Sequence, residues 1–181
     1  MLVVGDVAPS FRAQPVFGLP LDVEDQTQRY PLVICFVSSL GSPLTRQALA
    51  DLQERFADFD VEGIDVVAVT RSDLDVARDF VPRYHVLYRV LSDPQGDLYE
   101  RFGVPGGDWK AAVKALSPRS VKRSMQTLSL GVGKPERGSA QVPAEFVVAP
   151  GGAISYARYG ASMTDLLEID DLLSAAREAL A

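Results

Sequence analysis

A three-layer α/β fold, with helices on both faces of a central mixed sheet, is what the sequence predicts, and two observations carry the prediction. Near-continuous apolar runs at 31–37 and 64–70 flank an amphipathic stretch at 43–59, a βαβ unit whose strands suit a parallel sheet covered on both sides. Later, strands at 142–148 and 153–159 are joined by Pro150-Gly151-Gly152 and followed by one more amphipathic stretch, so the sheet ends in an antiparallel hairpin beneath a helix.

Each element has its own warrant. Val4-Gly5-Asp6-Val7-Ala8-Pro9-Ser10-Phe11 is a turn-rich entry in which Pro9 holds Ala8 extended. Residues 12–30 carry Pro15, Gly18 and Pro20 and read as a loop or short hairpin laid over the core, completing an N-terminal extension. In the first long helix Leu44, Ala48, Leu52, Phe56 and Phe59 share one face. Leu74, Ala77, Phe80 and Tyr84 give a second stripe, ended near Pro82 because proline removes a donor and crowds the preceding turn. A strand at 88–91, a turn at Ser92-Asp93-Pro94-Gln95-Gly96 and a short helix follow. Leu166, Ile169, Leu172, Leu173, Ala176 and Leu180 form the apolar face of the last helix.

Residues 107–139 break the pattern. Seven basic side chains, among them Lys110, Lys114, Lys122 and Arg123, stand against Asp108 and Glu136, a net charge of +5 in a chain of formal charge −6. The segment reads as an insertion before the hairpin: either a solvated face or a dock for an acidic partner or anionic ligand.

A chain of 181 residues, 47% hydrophobic and 23% charged, is sized for one well-buried domain spanning 1–181. Its negative balance excludes nucleic acid as an expected partner, since phosphate neutralisation needs clustered Lys and Arg. One cysteine and one histidine supply neither an internal disulfide nor a usual zinc set, and no cofactor is expected. No apolar run approaches the ~20 residues of a membrane helix, and the start has no basic segment leading into an apolar one. The expected location is the cytoplasm.

The functional reading centres on Gly41-Ser42-Pro43-Leu44-Thr45-Arg46, where the first strand feeds the first long helix. Ser42 is placed to cap the helix, and Pro43 suits its first position because the missing N–H would have had no partner there. Such a helix start favours an anion, a thiolate above all. A hydroxyl is far less acidic, and ~1 kcal/mol from a helix dipole cannot ionise it at neutral pH.

This stretch resembles the Gly-Cys-Pro-x-Cys-Arg opening of the peroxiredoxin-like (AhpC/TSA) branch of the thioredoxin superfamily, with Ser42 and Thr45 at both cysteine positions. Val4–Phe11 looks like that family's Gly-x-x-Ala-Pro-x-Phe lead-in, and Ser92–Val104 like its Ser-Asp-Pro-x-Gly block. The resemblance spans roughly 4–104 and 140–180 and implies a thioredoxin fold, in the order βαβα, insertion, ββα. In the peroxiredoxin pattern Pro-x-x-x-Thr-x-x-Cys, the matching positions are Ser38, Ser42 and Thr45. The family's arginine before the late strand is replaced by Pro143. Val-Pro-x-x-Phe is itself similar to the cis-proline turn of thioredoxin-type oxidoreductases, which implies a cis bond at Val142-Pro143 and a groove facing the helix start.

These residues leave two functions open. One is a degenerate site, with Ser38, Ser42, Pro43, Thr45, Arg46 and Pro143 forming a groove for an unknown protein or small molecule in a binding or regulatory module, alone or as a homodimer. The other is an antioxidant thiol oxidoreductase or peroxidase that uses Cys35 and an external reductant. Each residue has a plainer reading beside these: capping for Ser42 and Thr45, a solvated charge rather than an anion clamp for Arg46, a buried small hydrophobe for Cys35, and packing or surface for His85.

Overall fold

A computed structural model describes residues 1–106, 141–162 and 165–180; the basic insertion lies outside them. The chain opens with a minimal hairpin, β1 (Arg12–Ala13) and β2 (Leu21–Asp22), and a short helix α1 (Val23–Gln26). The βαβ unit follows as β3 (Leu32–Phe36), α2 (Pro43–Asp60) and β4 (Asp65–Thr70). Then come α3 (Leu74–Arg83), β5 (Arg89–Ser92), α4 (Asp97–Arg101), β6 (Ala144–Val148), β7 (Ile154–Tyr159) and α5 (Ile169–Glu178).

Five strands make the central sheet in the order β5-β4-β3-β6-β7. β3 is parallel to β4 and β4 to β5, whereas β6 runs antiparallel to both β3 and β7. The sheet is therefore mixed, as the apolar runs and the late hairpin predict. All five residues of β3 are buried, the expected fate of a strand covered on both faces.

Alternation along β3 divides the core. Val33, Cys35 and Val37 pack with Ala48, Leu49 and Leu52 of α2, Phe80 of α3 and Leu172 of α5. Leu32, Ile34 and Phe36 face the other way, toward Phe11, Leu21 and Val23 of the N-terminal extension and Tyr99 of α4. On this second face Phe36 lies 4.9 Å from Tyr99, 5.1 Å from Phe102 and 5.8 Å from Phe146, ring centre to ring centre. The extension thus covers the face that the three longer helices leave open.

Two local devices explain element boundaries. Asp93 accepts the backbone N–H groups of Gly96, Asp97 and Leu98 at 2.8–3.1 Å, and Gly96 takes φ +84°, so the Ser-Asp-Pro-x-Gly stretch is a cap that starts α4. At the end of α3, His85 N–H donates to Pro82 O and Val86 N–H to Val81 O, with His85 at φ +51°. That is a Schellman stop with histidine where glycine is usual. It accounts for exposed His85 by the surface reading.

Candidate functional site

The loop from β3 to α2 is fixed from beneath by hydroxyls at the C-terminal edge of the sheet. Thr70 Oγ1 donates to Ser38 O at 2.8 Å, Ser72 Oγ accepts from Leu40 N–H at 2.7 Å, and Ser92 Oγ donates to Ser72 O at 2.7 Å. Tyr99 reaches across the other face to donate to Val37 O and Val69 O. These bonds satisfy backbone groups that a buried loop would otherwise leave unpaired.

At the end of this loop Ser42 is the N-cap of α2, extended at φ −74°, ψ 128°, with Oγ accepting Thr45 N–H at 3.5 Å and Pro43 in the first turn. Thr45 is buried, one turn in. Arg46 takes a different place from either expected one. Its Nε donates to Leu40 O at 2.7 Å and its NH1 to Tyr84 Oη at 3.0 Å, with the guanidinium 5.9 Å and 5.5 Å from the centres of the Phe80 and Tyr84 rings. It ties the loop to α3 through hydrogen bonds and cation–π contact.

Facing this helix start is Pro143. The expected cis bond is corrected by the structure: no cis peptide occurs among the described residues, so Val142-Pro143 is trans. Trans is the form that X-Pro energetics favours without a constraint against it. Here Pro143 O accepts Gly160 N–H at 2.8 Å, continuing the hairpin's hydrogen bonding, and its ring sits where a Cβ on Gly160 would lie 2.9 Å from Cγ.

Ser38, Thr45 and Pro143 meet in a small cleft completed by Gln141, Asp165 and Leu167. Its space is about 20 Å³, room for roughly one water. Ser42, Pro43, Arg46 and Cys35 are not among its lining residues. The bridge between Gly106 and Gln141 brings the two chain ends flanking the insertion together beside it. A larger hollow of about 430 Å³, between Val7, Val23, Thr27 and Gly151-Gly152, lies at the opposite end of the sheet and touches none of the expected site residues.

Cys35 is fully buried in β3, paired in register with Ala68 and Glu145. Burial pushes its thiol well above the ordinary range, and the Glu145 charge pushes it further the same way.

Glu145 is the residue that sequence reasoning missed. Its side chain is fully buried on β6, where Oε1 accepts Arg158 NH1 at 2.7 Å and Glu168 N–H at 3.0 Å, while Oε2 is buried with no partner among the described residues. Desolvation raises its carboxyl to about 7 against the lowering effect of Arg158. The available signal was one acid inside the apolar Ala144–Val148 run, opposite an arginine once the hairpin is folded in register.

A model of the AhpC/TSA family matches residues 4–157. The chain belongs to the AhpC/TSA family. Its fold is similar to that of a peroxiredoxin-like protein from Aquifex aeolicus, with TM-score 0.71, 19% identity, and coverage of 98% of this chain and 88% of that one. The peroxidoxin BcpB of Mycobacterium tuberculosis gives TM-score 0.66 at 16% identity, over 97% and 96% of the two chains. The bacterioferritin comigratory protein of Xanthomonas campestris gives 0.63 at 16%, over 94% and 92%. No curated protein sequence matches the chain. Like these structures, this AhpC/TSA chain has a thioredoxin fold, and none of its described helices is long and apolar enough to cross a membrane.

Proposed function

We propose that this AhpC/TSA-family chain has a degenerate thiol site and acts as a binding or regulatory module through the cleft of Ser38, Thr45 and Pro143. The carrying observation is the division of roles at the helix start. By resemblance Ser42 and Thr45 stand at the two positions where the family carries cysteines; Ser42 Oγ is engaged as the cap of α2 and Thr45 is buried one turn in. The chain's one thiol, Cys35, is sealed in β3 with its ionisation suppressed. A hydroxyl cannot pass through the sulfenic acid and disulfide states on which thiol peroxidase turnover depends.

The partner is a protein or small molecule that reaches the cleft between Thr45 and Pro143. The cleft holds only about one water as it stands, so binding requires its rim to give way.

Treatment of the folded protein with hydrogen peroxide in the presence of dimedone, read by intact mass, tests the reading. The expected outcome is no adduct on either wild type or Cys35→Ala. A rapid adduct on wild type alone would restore the antioxidant thiol reading with Cys35 as its nucleophile.

A further inference from the structure

The rim of the cleft is built on the buried carboxyl. Asp165 and Leu167 line the cleft from the segment that leads into α5, and Glu145 and Arg158 hold that segment down. Glu168 N–H donates to Glu145 Oε1 at 3.0 Å, Arg158 NH1 donates to Leu166 O at 3.2 Å, and Arg158 NH2 lies 3.4 Å from Glu168 Oε1. Leu167 is nearly fully buried between these anchors.

We propose that Glu145 is a proton-controlled latch on segment 165–168: its neutral carboxyl keeps the segment seated over the cleft, and its ionisation draws water to Oε2 and releases the segment, widening the cleft at Thr45 and Pro143. This regulation rests on the reading of that cleft as the binding site.

The geometry fixes the direction. An ionised Oε2 that is buried with no partner among the described residues loses its hydration with no hydrogen bond in return, whereas a neutral carboxyl, though its O–H is unpaired there too, loses less. Lifting segment 165–168 is the short route by which water reaches it. The seated state therefore binds the proton more tightly than the lifted one, in keeping with a carboxyl raised to about 7, and rising pH favours lifting.

The groups around Glu145 account for its setting. Arg158 on β7 and Glu168 on the segment act on it directly, and its charge in turn bears on Cys35 of β3 and Tyr156 of β7. Asp171 of α5 acts on Tyr156 as well. The α2 residues buried in the same cluster as Cys35 are Ala48, Leu49, Leu52 and Phe59, which offer no countercharge.

The Glu168 amide reads the latch, since its N–H is held by Glu145 itself. Residue-resolved hydrogen exchange on the full chain, corrected for the intrinsic pH dependence, is measured between pH 5.5 and 8 for wild type and Glu145→Gln. Protection of Glu168 is expected to fall about tenfold or more in wild type and to stay flat in the variant. A flat wild-type profile, or the same fall in both proteins, overturns the proposal. Should the variant not fold, the Glu145 side-chain carbon is titrated by NMR in wild type. Coincidence of its midpoint with that of the exchange supports the latch, and separation by more than one pH unit overturns it. The experiment contains no peroxide and no partner. Its failure would remove the regulation and leave the binding reading standing, while a dimedone adduct would remove the binding reading and its regulation but leave the proton-linked movement of the segment.

Discussion

Arg158 NH1 lies 2.7 Å from Glu145 Oε1 across the β6–β7 register, and the carboxylate it meets has its other oxygen buried without a partner among the described residues. One contact thus joins a favourable ion pair to an uncompensated desolvation. The desolvation is larger, since the carboxyl rises to about 7 rather than falling below its ordinary 4.5.

Stability should therefore decline with pH through the neutral range. Between 4.5 and about 7 the folded protein binds the Glu145 proton and the unfolded chain does not, so this contribution is complete below the lower value and is lost as pH rises through the upper one. Its full size is about 3 kcal/mol. Urea unfolding of wild type and Glu145→Gln should give similar free energies at pH 5 and a clear advantage for the variant at pH 8. An unchanged difference between the two pH values would show that the carboxyl is not raised.

Arg158→Ala should show the opposite side of the pair. It removes the countercharge and leaves Leu166 O without the arginine that bonds it. A cost of about 3 kcal/mol is expected at pH 8, where the carboxylate is charged, and a smaller one at pH 5. Combining it with Glu145→Gln should recover much of the loss. Simple addition of the two effects would mean that the residues do not couple.

How far these features could be read from residues alone depends on the range of the interaction that sets each. β3, β4 and α2 were legible because continuous apolar runs and a 3.6-residue stripe are local signals, and Ser42 with Pro43 marked the start of α2 to the residue. The short α1, capped by Asp22 accepting from Glu24 and Asp25 N–H, was missed inside a stretch dominated by turn residues. Arg46 was misread because its partners, Leu40 O and the Tyr84 ring, meet it only after α3 has docked. Glu145 was passed over for the same reason: Arg158 and Glu168 come together around it only when the hairpin and the lead-in to α5 are in place. The trans Val142-Pro143 bond corrects an expectation drawn from a short motif that does not contain the hairpin bond to Gly160.

His85 at φ +51° predicts a simple gain. An L-residue in the left-handed region carries a strain that glycine does not, and His85 is exposed at the helix stop. His85→Gly should stabilise the protein by about 1 kcal/mol in thermal or urea unfolding, after the entropy that glycine adds to the unfolded chain. A loss of stability would assign the imidazole a contact worth more than the strain.

Ser42 separates capping from ligand duty. Its Oγ accepts Thr45 N–H at 3.5 Å, a long bond, so Ser42→Ala should cost about 0.5–1 kcal/mol, at the lower end for a helix cap. Ser42→Asp keeps an acceptor and adds a negative charge at the positive end of α2, so it should restore or exceed wild-type stability. Urea unfolding of both variants checks this. If Asp were as destabilising as Ala, the hydroxyl would be held by something other than the helix start, and the cap would not be what keeps serine at this position.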